Sequence, residues 1–278
     1  MIMKKRFLTV ALAAAMAVSC LTACGDSSSK ADTSSKADSS SKADSSTADS
    51  NVKDFYDQKV VESPEWLSKL DAAKDAEQLI VVAGVGETTA FISMHEKKKD
   101  GKWEMLLQTP GYIGLEGLGK ADCDHAITPA GTYTIDKAFG LADDPGCQME
   151  YTKCDDNYYW SGDAREGMHF NELVNINDVP GLDPEECEHI ADFKYEYKYC
   201  LNLGYNSKEM DPKNGCAFFF HCQGLSRPFT GGCVAVSEPS MKLIMQKIKP
   251  GCKITIDKAE TLGIDVRAMR AYNNEKGV

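Results

Sequence analysis

At residue 79 the periodicity of the chain becomes that of a sheet. Leu79 to Ala83 is an apolar run of strand length. Thr89 to Glu96 and Lys102 to Thr109 read as a hairpin that turns near Asp100-Gly101. Thr132 to Ile135, Tyr195 to Leu203, Ala217 to Phe220 and Cys252 to Ile256 are further strands, and Tyr195, Tyr197 and Tyr199 alternate with polar residues as on a half-buried sheet. Two helices interrupt this pattern. Ser63-Pro64-Glu65-Trp66 opens one that runs to about Glu77, with serine as cap and proline in the first turn. Ser237-Glu238-Pro239 opens the other, which runs to about Ile248 and ends before Pro250-Gly251. The segment 141–184 has little periodicity and is rich in Asp, Gly, Asn and aromatics. It is long for a connection, and such loops often form lids or binding walls. The pattern predicts a mainly β single domain with a few helices.

The first fifty residues cannot belong to that domain. Lys4, Lys5 and Arg6 precede an apolar run from Phe7 to Val18, which is short for a bilayer span and has the length of a signal-peptide core. Leu21-Thr22-Ala23-Cys24 follows. It resembles the bacterial lipobox, where cleavage precedes the cysteine and the thiol receives a diacylglyceryl group; ordinary secretory cleavage is the alternative. From Gly25 to Ser50, Lys-Ala-Asp recurs every six residues among serines. Such a segment has nothing with which to build a core, and it reads as a disordered stalk with a reach of roughly 30 Å. The expected organisation is a signal peptide over 1–23, a lipidated Cys24 with its stalk over 24–50, and a folded domain over 51–278 whose core spans about 79–257. No other stretch is long and apolar enough to cross a membrane. The domain is therefore expected outside the cell, held at the membrane and facing the cell wall.

Loss of the signal would lower Lys+Arg from 31 to 28 against 42 acids and move the formal charge from −11 to −14. A surface this acidic disfavours nucleic acid as a partner. Of eleven cysteines, nine lie beyond Cys24. With one kept as a reactive thiol, eight suffice for four disulfides, or all stay reduced in an anaerobe.

The stretch richest in chemistry is Phe218-Phe219-Phe220-His221, then eight residues, then Thr230-Gly231-Gly232-Cys233-Val234-Ala235-Val236. An aromatic strand ends in a histidine, and two glycines precede a cysteine. Thiol acyl transfer requires a thiolate and an imidazole that takes its proton. The glycines let backbone N–H groups turn toward the oxyanion that forms on the attacked carbonyl.

This pattern resembles the L,D-transpeptidases with a YkuD-type catalytic domain, whose motif runs histidine, spacer, Ser or Thr, one residue, Gly, Cys. Ile127-Thr128-Pro129-Ala130-Gly131-Thr132-Tyr133-Thr134-Ile135 and Leu203-Gly204-Tyr205-Asn206 are further family-like stretches, and the resemblance covers roughly 79–257. It implies a β-sandwich in which Cys233 attacks the third residue of a peptidoglycan stem tetrapeptide and expels the terminal D-Ala. His221 would be the base, oriented by the backbone carbonyl of Cys222. The N–H groups of Gly232 and Cys233 would hold the oxyanion. An amine of a second stem peptide would then take the acyl group in a 3–3 cross-link, with no metal or organic cofactor. Thr230, Gly231 and Arg227 would help to bind substrate. The chain departs from many members in having Gly231 for a histidine and Ala235 for an arginine; Arg227 is the loop residue offered in its place.

Plainer readings stand beside these. Cys233 is also a candidate buried or disulfide-bonded thiol. Cys222, next to His221 on a strand, should point to the opposite face and serve the core. Cys216, His221, Cys222 and Cys233 lack the paired spacing of a zinc site. His95, His125, His169 and His189 read as surface or packing residues, and Tyr158, Tyr159 and Trp160 as anchors of the long loop rather than a sugar platform. An L,D-carboxypeptidase and a non-catalytic wall-binding lipoprotein are the alternative functions. A papain-like protease would need its histidine far downstream of the cysteine.

Overall fold

The computed structural model describes residues 59–276. The basic and apolar N-terminal run, Cys24 and the serine-rich repeat lie outside the described residues.

The body is mainly β. One large mixed sheet carries, in spatial order, the strands Gly131–Thr134, Lys253–Lys258, Gln78–Gly84, Thr89–Lys97, Trp103–Tyr112, Val234–Val236, Phe219–Cys222, Cys200–Asn202, Ala138–Gly140 and Tyr151–Lys153. The expected hairpin is there, with Gly101 at φ +84° in its turn. The sheet curls until its two halves share a core. Ile80, Ile92 and Ile254 from one half meet Leu201, Phe220 and Val234 from the other, and Met241, Ile244 and Met245 of the helix Glu238–Lys247 complete the cluster. Halves of one continuous sheet thus replace the two separate sheets of a sandwich. The Ser237 side chain caps this helix by accepting from the Ser240 N–H, with proline in the first turn as the sequence indicated.

Three expectations need correction. The helix placed over 64–77 is two short 3₁₀ turns, Leu67–Lys69 and Asp71–Ala73, because Leu70 adopts an extended conformation between them. That break lets Leu67, Leu70, Ala72, Ala73 and Ala76 all face a second core on the outer side of the sheet. The strand placed over 195–203 shrinks to Cys200–Asn202, preceded by a 3₁₀ turn at Glu196–Lys198. Its tyrosines do not share a face: Tyr195 is exposed, while Tyr197 and Tyr199 enter different clusters. The helix Val266–Lys276 was not anticipated. It buries only Met269, whose sulfur accepts from Trp66 Nε1 at 3.0 Å, so its sequence carries almost no apolar stripe.

His95 is a core residue. Its ring lies between the hydroxyls of Ser63 and Ser93, each at 2.8 Å, and burial holds its pKa down at about 3. The folded state keeps this imidazole neutral, whereas the unfolded chain protonates it near pH 6.5. Its contribution is therefore complete above pH 6.5 and is lost as pH falls from 6.5 toward 3, by about 1.4 kcal/mol per pH unit. Thermal melts between pH 7 and 4 should show a steeper loss of stability in the wild type than in His95→Gln.

Candidate active site

The two residues singled out by the sequence stand on one face of the sheet. Strands Phe219–Cys222 and Val234–Val236 run parallel, with His221 beside Ala235. Cys200 lies on the other side of His221, and Phe139 beyond it. Side chains alternate along each strand, so Phe219 and His221 share a face while Phe220 and Cys222 point into the main core. Cys222 lies there, its Sγ 3.9 Å from the carbonyl oxygen of Tyr199.

His221 Nδ1 is 2.7 Å from the carbonyl oxygen of Cys222. A carbonyl only accepts, so Nδ1 carries the proton and Nε2 is left with its lone pair. Burial pushes the pKa of the ring below its ordinary value, which keeps it unprotonated at neutral pH. Ala235 is the cross-strand neighbour of His221 and is buried.

Cys233 is held from two sides. Its Sγ accepts the N–H of Phe219 at 3.3 Å and donates to the carbonyl of Ala217 at 3.5 Å. The Phe219 N–H contact is one that a thiolate at this position would strengthen. Ala217 takes φ +60°, a conformation that costs an L-residue roughly 1–2 kcal/mol. Its N–H is fixed by Asn171 Oδ1 at 3.3 Å.

The loop before the cysteine is built on hydroxyls. Thr230 Oγ1 donates to the Cys233 carbonyl at 2.6 Å and accepts the Gly232 N–H at 3.1 Å. Thr128, from the Thr-Pro-Ala-Gly stretch, donates to the same carbonyl at 3.1 Å and accepts the Gly114 N–H at 2.7 Å. Gly232 has φ +128°, and a Cβ there would lie 2.9 Å from the Ile127 carbonyl and 3.0 Å from the Phe218 ring, so glycine is required. Gly231 borders open space. Arg227 is exposed in the loop 223–229, whereas His221 and Cys233 are buried.

The segment 141–199 roofs this face. Trp160, Ile190 and Tyr197 pack with Phe139, Phe219 and Cys233 in one cluster, leaving Cys233 only 8% and His221 only 6% exposed. Trp160 is locked by its Nε1 bond to Asn171 Oδ1 at 2.9 Å and by rings of Phe139 and Phe219 at 5.7 and 4.7 Å. Tyr197 sets its ring edge on His221 at 5.4 Å, and its hydroxyl donates to Glu188 at 2.5 Å. Trp160 is thus an anchor of the loop. Tyr158 and Tyr159 sit beside it on a small three-stranded sheet, where Tyr159 stacks on His189 at 4.5 Å. His125 and His169 lie at the surface, each against a nearby carboxylate.

Sequence reasoning missed Asn171 and Glu188, which no motif marks, and read Tyr197 only as a strand residue and Thr128 only as part of the family-like stretch 127–135. It also left the cysteines open: Cys147, Cys154, Cys187, Cys200, Cys222 and Cys252 carry free thiols. Among the described residues no group of three or more His, Cys, Asp and Glu could hold a metal ion.

No family model matches the chain. No curated protein matches it either. Among solved structures it is similar to the helical cell shape determining protein Pgp2 from Campylobacter jejuni, at 16% identity and a TM-score of 0.34. The match covers 69% of this chain and only 54% of that protein. At that TM-score the likeness says nothing about activity.

Proposed function

We propose that the chain is a cysteine acyltransferase of the cell wall, an L,D-transpeptidase that forms 3–3 cross-links between peptidoglycan stem peptides. The observation that carries this reading is the shared sheet face of Cys233 and His221, with Nδ1 of His221 tied to the Cys222 carbonyl and Nε2 left as a base. Cys233 Sγ attacks the carbonyl of the third stem residue while its proton passes to His221 Nε2. The oxyanion draws on the N–H groups of Gly232 and Cys233, and for this the Gly232 N–H exchanges Thr230 Oγ1 for the substrate oxygen. Collapse expels D-Ala, whose amine takes the proton from His221, and leaves a thioester on Cys233. An amine of a second stem attacks the thioester, gives its proton to His221 and releases the thiol.

Cys24 and the stalk supply the membrane tether in this proposal, and the acidic surface leaves nucleic acid outside its partners. Substrate entry requires part of the 141–199 roof to move, since both reacting groups are buried. The apolar roof also keeps water from the thioester, which favours transfer over the hydrolysis of a carboxypeptidase. That same burial supports a second reading, a wall-binding protein whose site is silent.

Incubation with a purified stem tetrapeptide and analysis by mass spectrometry decides among the three. Transfer yields D-Ala and a cross-linked dimer. Tripeptide without dimer is carboxypeptidase activity and overturns the transferase, and unchanged peptide supports the silent site.

A further inference from the structure

The turn that crosses His221 is fastened through consecutive side chains. Glu196, Tyr197 and Lys198 form the 3₁₀ turn ahead of the strand Cys200–Asn202. Tyr197 sets its ring edge on His221, and Lys198 pairs with Glu238, at the start of the helix 238–247, at 2.7 Å. Glu196 lies against the backbone just past the histidine. A Cβ built on Gly224, three residues beyond His221, would collide with the Glu196 carboxylate and lie 2.9 Å from its Cδ. The Gln223 N–H donates to the Val236 carbonyl at 2.6 Å, so this stretch of backbone is tied to the strand that follows Cys233. The missing side chain at Gly224 is what leaves room for the carboxylate.

Glu196 is half-buried, and among the described residues no ion pair or hydrogen bond engages its carboxylate. A carboxylate withdrawn from water without a cation is costly, and more so on a chain of net charge −11. The groups around His221 narrow down what could answer it. Lys198 is committed to Glu238. Burial keeps the Cys200 thiol and the Tyr197 phenol neutral, and the Tyr197 hydroxyl engages Glu188. Cys233 is the proton donor. His221 remains, and it becomes a cation when it accepts the proton of Cys233. Burial holds the pKa of this ring down, while the Cys222 carbonyl and the charge of Glu196 act in the opposite direction.

We propose that Glu196 is a positioning residue for the acyl-transfer step, its carboxylate stabilising the imidazolium that His221 becomes while Cys233 attacks. The S–H bond of Cys233 breaks as an N–H bond forms at His221 Nε2, and Glu196 itself takes no proton. The inference rests on the transferase reading of Cys233, but its first readout needs no substrate. The full chain, isotope-labelled at histidine Cε1, is titrated by NMR as wild type, Glu196→Gln and Glu196→Asp, with the His221 signal assigned by its loss in His221→Gln. Glutamine keeps the size of the side chain and removes its charge, and circular dichroism checks the fold. The proton affinity of His221 should fall roughly threefold to tenfold in Glu196→Gln, the effect of losing an opposite charge that water partly screens. Glu196→Asp keeps the charge and should lie between. Acylation of Cys233 by a carbapenem at neutral pH should slow in Glu196→Gln by up to the same factor, with its acid limb moved to lower pH, which a merely structural contact would not do. An unchanged His221 midpoint in a folded Glu196→Gln that is still acylated overturns the role of Glu196 and leaves the transferase standing. A shifted midpoint in a chain whose Cys233 is never acylated removes the enzyme, and this role with it, while leaving the coupling of Glu196 to His221 as a measured fact.

Discussion

Replacing His221 with glutamine should slow acylation of Cys233 by about 10²–10⁴-fold while leaving the fold in place, because the loss is that of a general base. Glutamine keeps a donor for the Cys222 carbonyl, which now receives the Nδ1 proton at 2.7 Å. It has no lone pair basic enough to take the thiol proton from Sγ. The pH profile separates this role from a structural one. Burial lowers the pKa of His221, so the neutral base persists below the ordinary 6.5 and the rate should hold past that pH. Only at a lower pH, where the ring is at last protonated, should the rate fall. In His221→Gln that acid limb should vanish along with most of the rate. A variant as fast as the wild type, or one that keeps the limb, would show that another group takes the proton.

Trp160→Ala should lower stability by about 3–5 kcal/mol, the usual cost of removing a fully buried large aromatic. At this domain size that corresponds to a fall in Tm of roughly 10 °C. Trp160 is 1% exposed, packs on Phe139 and Phe219, and donates to the Asn171 amide that also fixes Ala217. The same substitution opens the roof over Cys233. Alkylation of that thiol by iodoacetamide should therefore accelerate in the folded variant even as its melting point drops. Trp160→Phe keeps most of the packing and loses only the N–H, so it should cost about 1–3 kcal/mol and leave the thiol shielded. A large loss of stability with no gain in Cys233 reactivity would mean that access is controlled elsewhere in the 141–199 segment.

The parts of this molecule that were legible in its sequence are those set by neighbouring residues. The hairpin 89–97/103–112 is announced by Asp100-Gly101, and the helix 238–247 by its serine cap and proline. The outward turn of Cys222 from the His221 face follows from alternation along one strand. What stayed hidden depends on distant partners. The alternating tyrosines 195, 197 and 199 mimic a half-buried strand, but Tyr197 answers to Glu188 and His221, and Tyr199 to the main core. The roof is assembled from Trp160, Ile190 and Tyr197, which share no period, and Asn171 connects it to Ala217 through a single amide. Thr128 is legible only as part of the family-like stretch 127–135, whereas its hydroxyl reaches 105 residues along the chain to the Cys233 carbonyl. The terminal helix 266–276 buries one methionine and so left no apolar stripe to read.

The most direct test of an activated Cys233 is the intact mass of the full, reduced and folded chain after incubation with a carbapenem, beside Cys233→Ala. An acyltransferase of the proposed kind opens the β-lactam and retains it as a thioester, so the wild type should gain one adduct and the variant none. An unmodified wild type, or an adduct of equal yield on Cys233→Ala, would contradict the assignment of Cys233 as the nucleophile and leave the buried pair as part of the core.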